Sequence, residues 1–199
     1  MYLKEKPLIL LVDDIPANLQ VLGNVLRDEE NYRMAIATNG LNAINLAKKH
    51  KPDLILLDIM MPDMDGYEVC RQLKSDPETK EIPVIFLTAK TQPEDIIMGF
   101  ESGAVDYLTK PFNKYELLAR VKTHLNLKQS IEELYLTSSE LEKSNQQKDK
   151  FLSILAHDLR NPINSQLGLS NLMIEHFETF SPEELKENLH HIHSSARSM

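Results

Sequence analysis

Three uninterrupted apolar runs of strand length each end on a residue able to do chemistry. Leu8-Ile-Leu-Leu-Val12 leads into Asp13-Asp14, Leu54-Ile-Leu-Leu57 into Asp58, and Val84-Ile-Phe-Leu87 into Thr88. A run with no polar alternation suits a strand covered on both faces, as in a parallel sheet between two layers of helices. Residues 33–37 and 107–109 are weaker strand candidates, the second ending at Lys110. Between the runs lie amphipathic segments of helix length at 17–29, 41–50, 67–75, 94–102 and 114–124. The first of these carries Leu19, Val21, Leu22, Val25 and Leu26 at helical spacing. The order βαβαβαβαβα predicts a doubly wound α/β domain with right-handed crossovers. Pro16 suits a first helical turn. Gly66 and Gly103 fall where turns or helix ends favour a residue without Cβ.

After Leu127 no strand-like run recurs. Ile131, Leu134, Ser138, Leu141, Asn145, Lys148, Leu152, Leu155 and Leu159 follow a 3-4 spacing, a heptad seam with a polar middle. Residues 114–161 contain neither glycine nor proline. One long amphipathic helix packed on the first domain would satisfy this pattern; a projecting two-stranded coiled coil satisfies it better. Pro162 is expected to kink or locally open the helix just after His157. The apolar pattern resumes at Leu167, Leu169, Leu172, Met173 and Phe177. Ser181-Pro-Glu-Glu184 reads as a new helix start, with Ser181 as cap, Pro182 in the first turn and Glu184 completing a capping box. Leu185, Leu189, Ile192, Ala196 and Met199 form a second seam. The chain stops on a seam position, which reads as a cut through a longer protein. The predicted division is 1–127, 128–150 and 151–199.

The chain has 199 residues, room for one domain of ordinary size and a smaller one. Its hydrophobic content of 42% and charged content of 26% are those of a soluble globular protein. A formal net charge of -8 argues against a general nucleic-acid binder. Cys70 is the sole cysteine, so no internal disulfide forms, which fits a reducing cytosol. The N-terminal Met-Tyr-Leu-Lys-Glu-Lys-Pro7 has no signal-peptide core, and no apolar run is long enough to cross a bilayer. A cytoplasmic protein without a membrane segment in this chain is expected.

In open α/β sheets, sites form beyond the C-terminal ends of the strands. Asp13-Asp14 follows the first strand, Asp58 the third, Thr88 the fourth and Lys110 the fifth. Three carboxylates crowded at one edge repel one another unless a cation is present, and oxygen ligands suit Mg²⁺. Asp58 lies on the central strand and is the best nucleophile. Mg²⁺ and Lys110 would neutralise an incoming phosphoryl group, and the Thr88 hydroxyl can donate to one of its oxygens.

These residues stand in the motifs Val12-Asp-Asp14, Leu57-Asp-Ile-Met-Met-Pro-Asp-Met-Asp-Gly66, Leu87-Thr-Ala89 and Tyr107-Leu-Thr-Lys-Pro-Phe112. With them the segment resembles a response-regulator receiver domain over nearly its whole length. The resemblance implies phosphorylation of Asp58. It implies Mg²⁺ binding by Asp14 and Asp58 with help from Asp13, the Met60 carbonyl being the third protein ligand. It also implies a cis Lys110-Pro111 peptide, and a coupled switch pair in Thr88 and Tyr107.

Histidines on helices are mostly satisfied or solvated, and His50, His124 and His176 are read so. His190, His191 and His193 resemble a metal cluster more closely, yet adjacent helical residues point apart and no fourth ligand is evident. His157 differs by its company. Asp158 is adjacent, able to act on a neighbouring proton and hold the useful imidazole tautomer, and Asn161 lies one turn on. Ser153-Ile-Leu-Ala-His-Asp-Leu-Arg-Asn-Pro-Ile163 resembles the phosphoacceptor box of histidine kinases, a resemblance that covers about 148–199. It implies a dimerisation and phosphotransfer hairpin, two of which form a four-helix bundle. It implies that His157 accepts phosphate and that Asp158 and Asn161 hold the acid/base and phosphatase positions. The chain contains no Asn-box or glycine-rich nucleotide motif, so autophosphorylation from ATP would need an ATP-binding kinase domain of the full-length parent.

The expectation is the N-terminal part of a cytoplasmic hybrid histidine kinase. It would be a homodimer, with a cognate kinase or response regulator as partner. The rival readings are a receiver-controlled dimerisation module with a vestigial His157, and a phosphorelay intermediate passing phosphate between Asp58 and His157. A continuous helix would separate Leu125 from His157 by roughly 48 Å, which favours mechanical signalling over transfer within one protomer.

Overall fold

The computed structural model describes residues 6–29, 31–89 and 92–197. The reading of the extreme N-terminus and the seam position Met199 lie outside the described residues. The chain divides into two compact units, residues 1–133 and 134–199.

In the first unit, β1 (Leu8–Val12), α1 (Pro16–Arg27), β2 (Arg33–Ala37), α2 (Gly40–His50), β3 (Leu54–Asp58), α3 (Gly66–Ser75), β4 (Val84–Thr88), α4 (Pro93–Glu101) and β5 (Asp106–Thr109) alternate, and α5 begins at Lys114. All strands pair in parallel in the order β2-β1-β3-β4-β5. Chain order and sheet order part at β1, which pairs with both β2 and β3, so the crossovers go out in both directions and helices cover both faces.

The covering explains the unbroken apolar runs. Leu10, Val12, Ile55, Leu57, Val84 and Phe86 face one way, against Ala43, Ala47, Val69, Cys70 and Leu73 of α2 and α3. Their neighbours Ile9, Leu11, Leu54, Leu56, Ile85 and Leu87 face the other way, against Leu19, Leu22 and Leu26 of α1 and Leu117 and Val121 of α5. Each fully buried aliphatic side chain contributes about 1.5–3 kcal/mol relative to exposure. A polar residue at any of these positions would therefore cost stability on either face.

Local signals set the helix ends. Pro16 occupies the first turn of α1. Asn39 caps α2 by accepting from the Asn42 amide at 2.8 Å, and Asp65 caps α3 by accepting from Glu68 at 2.8 Å. After α4, Gly103 takes a φ of 96°, open to glycine at no steric cost.

Helix α5 spans Lys114–Glu175, 62 residues. Pro162, where a kink or local opening is expected, lies inside this helix without ending it. The proline lacks the amide that would reach the Asp158 carbonyl, but the helical path continues another thirteen residues. In the second unit a 3₁₀ turn (Phe177–Thr179) leads to α6 (Pro182–Arg197). The capping box forms reciprocally: the Ser181 amide donates to Glu184 Oε2 at 2.8 Å, and the Glu184 amide to Ser181 Oγ at 3.3 Å. Gln166 Nε2 on α5 reaches the Ile192 carbonyl on α6 at 3.5 Å, so the two helices lie side by side as a hairpin. The seam residues Leu134, Leu141, Leu152, Leu155 and Leu159 are all exposed. Among the described residues no helix is long and apolar enough to cross a membrane.

Candidate phosphoacceptor sites

Register brings the polar strand ends level. Val12 pairs with Leu57, Asp58 with Leu87, and Thr88 with Thr109. Asp13, Asp14, Asp58, Thr88 and Lys110 therefore emerge at one edge of the sheet. Ligand atoms of Asp13, Asp14 and Asp58 lie within 4.8 Å of one another.

The Lys110 ammonium bridges two of these carboxylates, at 2.8 Å from Asp13 Oδ2 and 2.9 Å from Asp58 Oδ1. The Lys110-Pro111 peptide is cis. Asp13 is fully buried and Asp58 nearly so. Burial pushes the Asp58 carboxyl above the usual carboxylate range; Lys110 opposes this, while Asp13 and Asp14 add to it. Burial alone would lower the Lys110 ammonium, but its bonds to Asp13 and Asp58 outweigh that and hold it above its ordinary value. Lysine therefore stays charged where a phosphoryl group would need it.

Asp14 is different. Its Oδ1 is buried and has no hydrogen-bond partner. A buried carboxylate oxygen without a donor is costly, and a hard cation removes that cost. The donor set is all oxygen. These residues fit a divalent cation of the Mg²⁺ kind, with Asp14 Oδ1 as the open position. The backbone at Met60 lies two residues past Asp58, and the Met60 side chain is exposed.

Gly66 closes the floor of the site. A Cβ there would lie 2.4 Å from the Asp58 carbonyl oxygen and 2.8 Å from Ile59 Cα, both rigid backbone atoms. The absent side chain lets α3 start directly against the residue that carries the acceptor, with the Gly66 amide on the Ile59 carbonyl at 2.9 Å.

Thr88 is buried at the end of β4. It lines a small cavity of about 10 Å³ together with Tyr107, Ile59, Phe86 and Phe100. That is space for about one water. The Tyr107 ring meets Phe100 edge-on, centroids 6.0 Å apart. The structure thus places the two residues of the expected switch pair on one cavity.

His157 has little around it. It lies in α5, exposed, and its Nδ1 is 3.3 Å from Asp158 Oδ1, a long contact between exposed groups. Asp158 and Asn161 are exposed as well. His190, His191 and His193 are exposed on α6 and join no metal-competent cluster among the described residues. His124 is a satisfied residue: its Nε2 lies 3.1 Å from Asp106 Oδ2, a carboxylate also gripped by Arg120 at 2.7 and 2.8 Å.

Sequence reading missed three features of the first unit. Asn18 donates to both oxygens of Asp13, at 2.9 and 3.0 Å. The Tyr67 hydroxyl donates to the Asp95 carbonyl at 3.1 Å, tying α3 to the start of α4 beside the Thr88 cavity. Lys128 pairs with Asp53 at 2.8 Å, and Asp53 also accepts from the Leu8 amide at 2.8 Å, so α5 is held at the opposite edge of the sheet. An asparagine in a first helical turn and a lysine on an amphipathic helix carry no distinguishing local signal.

Comparison with known proteins agrees with this geometry. Residues 9–122 match the response regulator receiver domain family, and residues 147–199 match the His Kinase A (phospho-acceptor) domain family. The response regulator PleD of Caulobacter vibrioides is 48% identical over 126 residues, which are 63% of this chain and 28% of that protein. The matched segment spans less than a third of that protein and about half of other curated relatives, such as the response regulator MtrA of Mycolicibacterium smegmatis, 50% of which is covered. The signal receiver domain of a signal transduction histidine kinase from Syntrophus aciditrophicus superposes with a TM-score of 0.56 at 39% identity, covering 60% of this chain and 90% of that one. The receiver domain of a sensor histidine kinase from Pseudomonas aeruginosa, solved with a magnesium ion coordinated in its active-site cleft, gives 0.57 at 32% identity, covering 60% and 98%. Matched over more than half its length and bearing the acidic edge just described, the chain belongs to the response regulator receiver family, with a histidine kinase phosphoacceptor domain following the receiver as in a hybrid histidine kinase.

Proposed function

We propose that Asp58 accepts a phosphoryl group and thereby regulates a histidine kinase core whose own acceptor is His157. The observation that carries this reading is the contrast within one acidic cluster: Lys110 bridges Asp13 and Asp58, while Asp14 Oδ1 is left open. The Asp58 carboxylate attacks the donor phosphorus in line; a P–O bond forms and the bond to the donor's leaving atom breaks. Lys110 offsets charge on the phosphoryl oxygens, and the Thr88 hydroxyl donates to one of them. Mg²⁺, held by Asp14, Asp58 and the Met60 carbonyl with Asp13 adding charge, would supply further neutralisation. At His157 the neutral imidazole is the nucleophile, Asp158 holds its tautomer, and Asn161 serves the phosphatase step. ATP enters through a separate ATP-binding domain.

Phosphate on Asp58 draws Thr88 inward, Tyr107 re-packs into the space this frees, and the start of α5 shifts. Supporting this route, Thr88 and Tyr107 share one cavity, and α5 is held to the receiver by Lys114 on Asp28, Arg120 on Asp106 and Lys128 on Asp53. The same helix carries His157. The working form is a cytoplasmic homodimer, with 1–127 as receiver, 128–150 as coiled-coil signalling helix and 151–199 as half of a four-helix bundle. The exposed leucine seam supports this. The cognate partner is another kinase or response regulator.

The test is phosphorylation of the chain by a small phosphoramidate with Mg²⁺. Label is expected on one carboxylate, lost in Asp58→Asn and kept in His157→Ala. Undiminished labelling of Asp58→Asn overturns the receiver site. Fast phosphohistidine formation within one chain, with unchanged spin-label distances across the coil, overturns mechanical signalling in favour of a relay.

A further inference from the structure

The acidic edge contains three carboxylates and one ammonium, a formal charge of −2 that one divalent cation cancels. The carboxylates are not used alike. Asp13 Oδ1 accepts from the Ile15 amide at 2.9 Å and from Asn18 Nδ2 at 2.9 Å. Its Oδ2 accepts from Asn18 Nδ2 at 3.0 Å and from Lys110 Nζ at 2.8 Å. Three donors thus hold Asp13, and one of them, a neutral side chain in the first turn of α1, spans both of its oxygens.

We propose that Asn18 is a positioning residue for phosphoryl transfer at Asp58: its amide locks Asp13 in place, and the locked Asp13 keeps Lys110 on the acceptor carboxylate. This rests on the phosphoacceptor reading of Asp58 and assigns it a part that the strand ends do not contain. Without the amide, Asp13 keeps only Ile15 and Lys110. It can then rotate about its side chain and take the ammonium with it, away from Asp58 Oδ1, where Lys110 now stands at 2.9 Å. The residue type follows from the charge. Lysine or arginine at this position would add a positive charge and weaken the hold on a cation. Aspartate would set a fourth carboxylate against Asp13. Only a neutral donor orients Asp13 and leaves the charge of the edge unchanged.

Helix chemistry predicts the opposite ranking of substitutions, which makes the idea testable. Asn18 lies in the first turn of α1, at the positive end of the helix dipole, where aspartate is favoured. A purely structural Asn18 therefore tolerates Asn18→Asp and loses melting temperature in Asn18→Ala. A positioning Asn18 loses rate in both, and more in Asn18→Asp.

The full chain and both variants are compared by three measurements: the phosphorylation rate from a small phosphoramidate at saturating Mg²⁺, Mn²⁺ affinity by electron paramagnetic resonance, and melting temperature. We expect the saturated rate to fall about tenfold in Asn18→Ala and about a hundredfold in Asn18→Asp, the scale of an angstrom-sized misplacement. Mn²⁺ binding should be equal or tighter in both, because an Asp13 oxygen is freed or a carboxylate is added. That split between rate and cation affinity supports the proposal. A wild-type rate in Asn18→Asp overturns it, and so does a parallel loss of rate, Mn²⁺ affinity and melting temperature. Should the wild-type chain take no phosphate at Asp58, the phosphoacceptor reading fails. The Asn18 lock is then judged by cation affinity, and weaker Mn²⁺ binding in both variants overturns it.

Discussion

The two acceptor candidates sit in opposite surroundings. Asp58 is 4% exposed and ion-paired, at an edge where strand ends from four positions in the chain converge. The His157 side chain is 69% exposed, with a long contact of 3.3 Å to its sequence neighbour Asp158. The acidic edge is assembled from strand ends within one domain, whereas His157 is presented by a helix, with Asp158 next to it and Asn161 one turn on, both exposed. On the proposed reading, a buried, lysine-paired acceptor suits a residue that holds a phosphate long enough to be read, and an exposed histidine suits one visited in turn by different domains.

The comparison is most easily broken at the leucine seam. Truncation after Leu127 removes the exposed Leu134, Leu141, Leu152, Leu155 and Leu159. The full chain is expected to sediment as a dimer and the truncated receiver as a monomer or much weaker dimer. A stable dimer of the truncated form would place the interface on the receiver instead.

Gly66→Ala probes how closely the receiver site is packed. The new methyl would meet the Asp58 carbonyl oxygen at 2.4 Å, and backbone must move to admit it. A loss of about 1–3 kcal/mol in receiver stability is expected from urea melts, together with slower phosphorylation. Ser181→Ala tests the helical unit in the same way and should be milder. It removes the cap of α6 and its exchange with Glu184, for about 1 kcal/mol. Its effect should be confined to residues 134–199 in hydrogen exchange, leaving the receiver amides unchanged.

The smallest effect concerns charge. The Asp58 carboxyl is held above its ordinary range, by burial first. A raised carboxyl contributes stability that is fully present below the unfolded value, about 3.9. That contribution is lost as pH rises through the folded value. Above the folded value, and without cation, the ionised Asp58 carboxylate is therefore strained. Asp58→Asn is expected to melt a few degrees higher than wild type, and the gap should close as pH falls toward about 4 or as Mg²⁺ is added. A lower melting temperature for Asp58→Asn in chelator would show that the Lys110 ion pair outweighs the burial cost.

Much of this was legible in the chain itself. The three unbroken apolar runs marked β1, β3 and β4, and the weaker candidates at 33–37 and 107–109 marked β2 and β5, each to within a residue of its observed ends; the first three were clearest because a strand buried on both faces leaves no polar alternation. Asp13, Asp14, Asp58, Thr88 and Lys110 were identifiable because each follows a strand, and parallel strands put their ends together. The Ser181–Glu184 capping box and the start of α6 were equally clear, since both bonds lie within four residues. Pro162 lies inside α5 without ending it: the proline removes one amide from the ladder, and the helix continues past it.

What only the tertiary structure decided are the contacts between residues far apart in the chain or without a local pattern. Strand register set Asp58 beside Leu87 and brought Lys110 to Asp13 across 97 residues. Lys128 found Asp53 across 75. Gly66 proved to be required by the Asp58 backbone, not by a turn angle. Asn18 lies only five residues from Asp13, yet nothing in its type or spacing announced the contact. Local bonding and burial patterns are written residue by residue along a sequence. Which donor meets which carboxylate depends on how the first turn of α1 is seated on the sheet, and that is settled by the packing of Leu19, Leu22 and Leu26 against strands drawn from the rest of the domain.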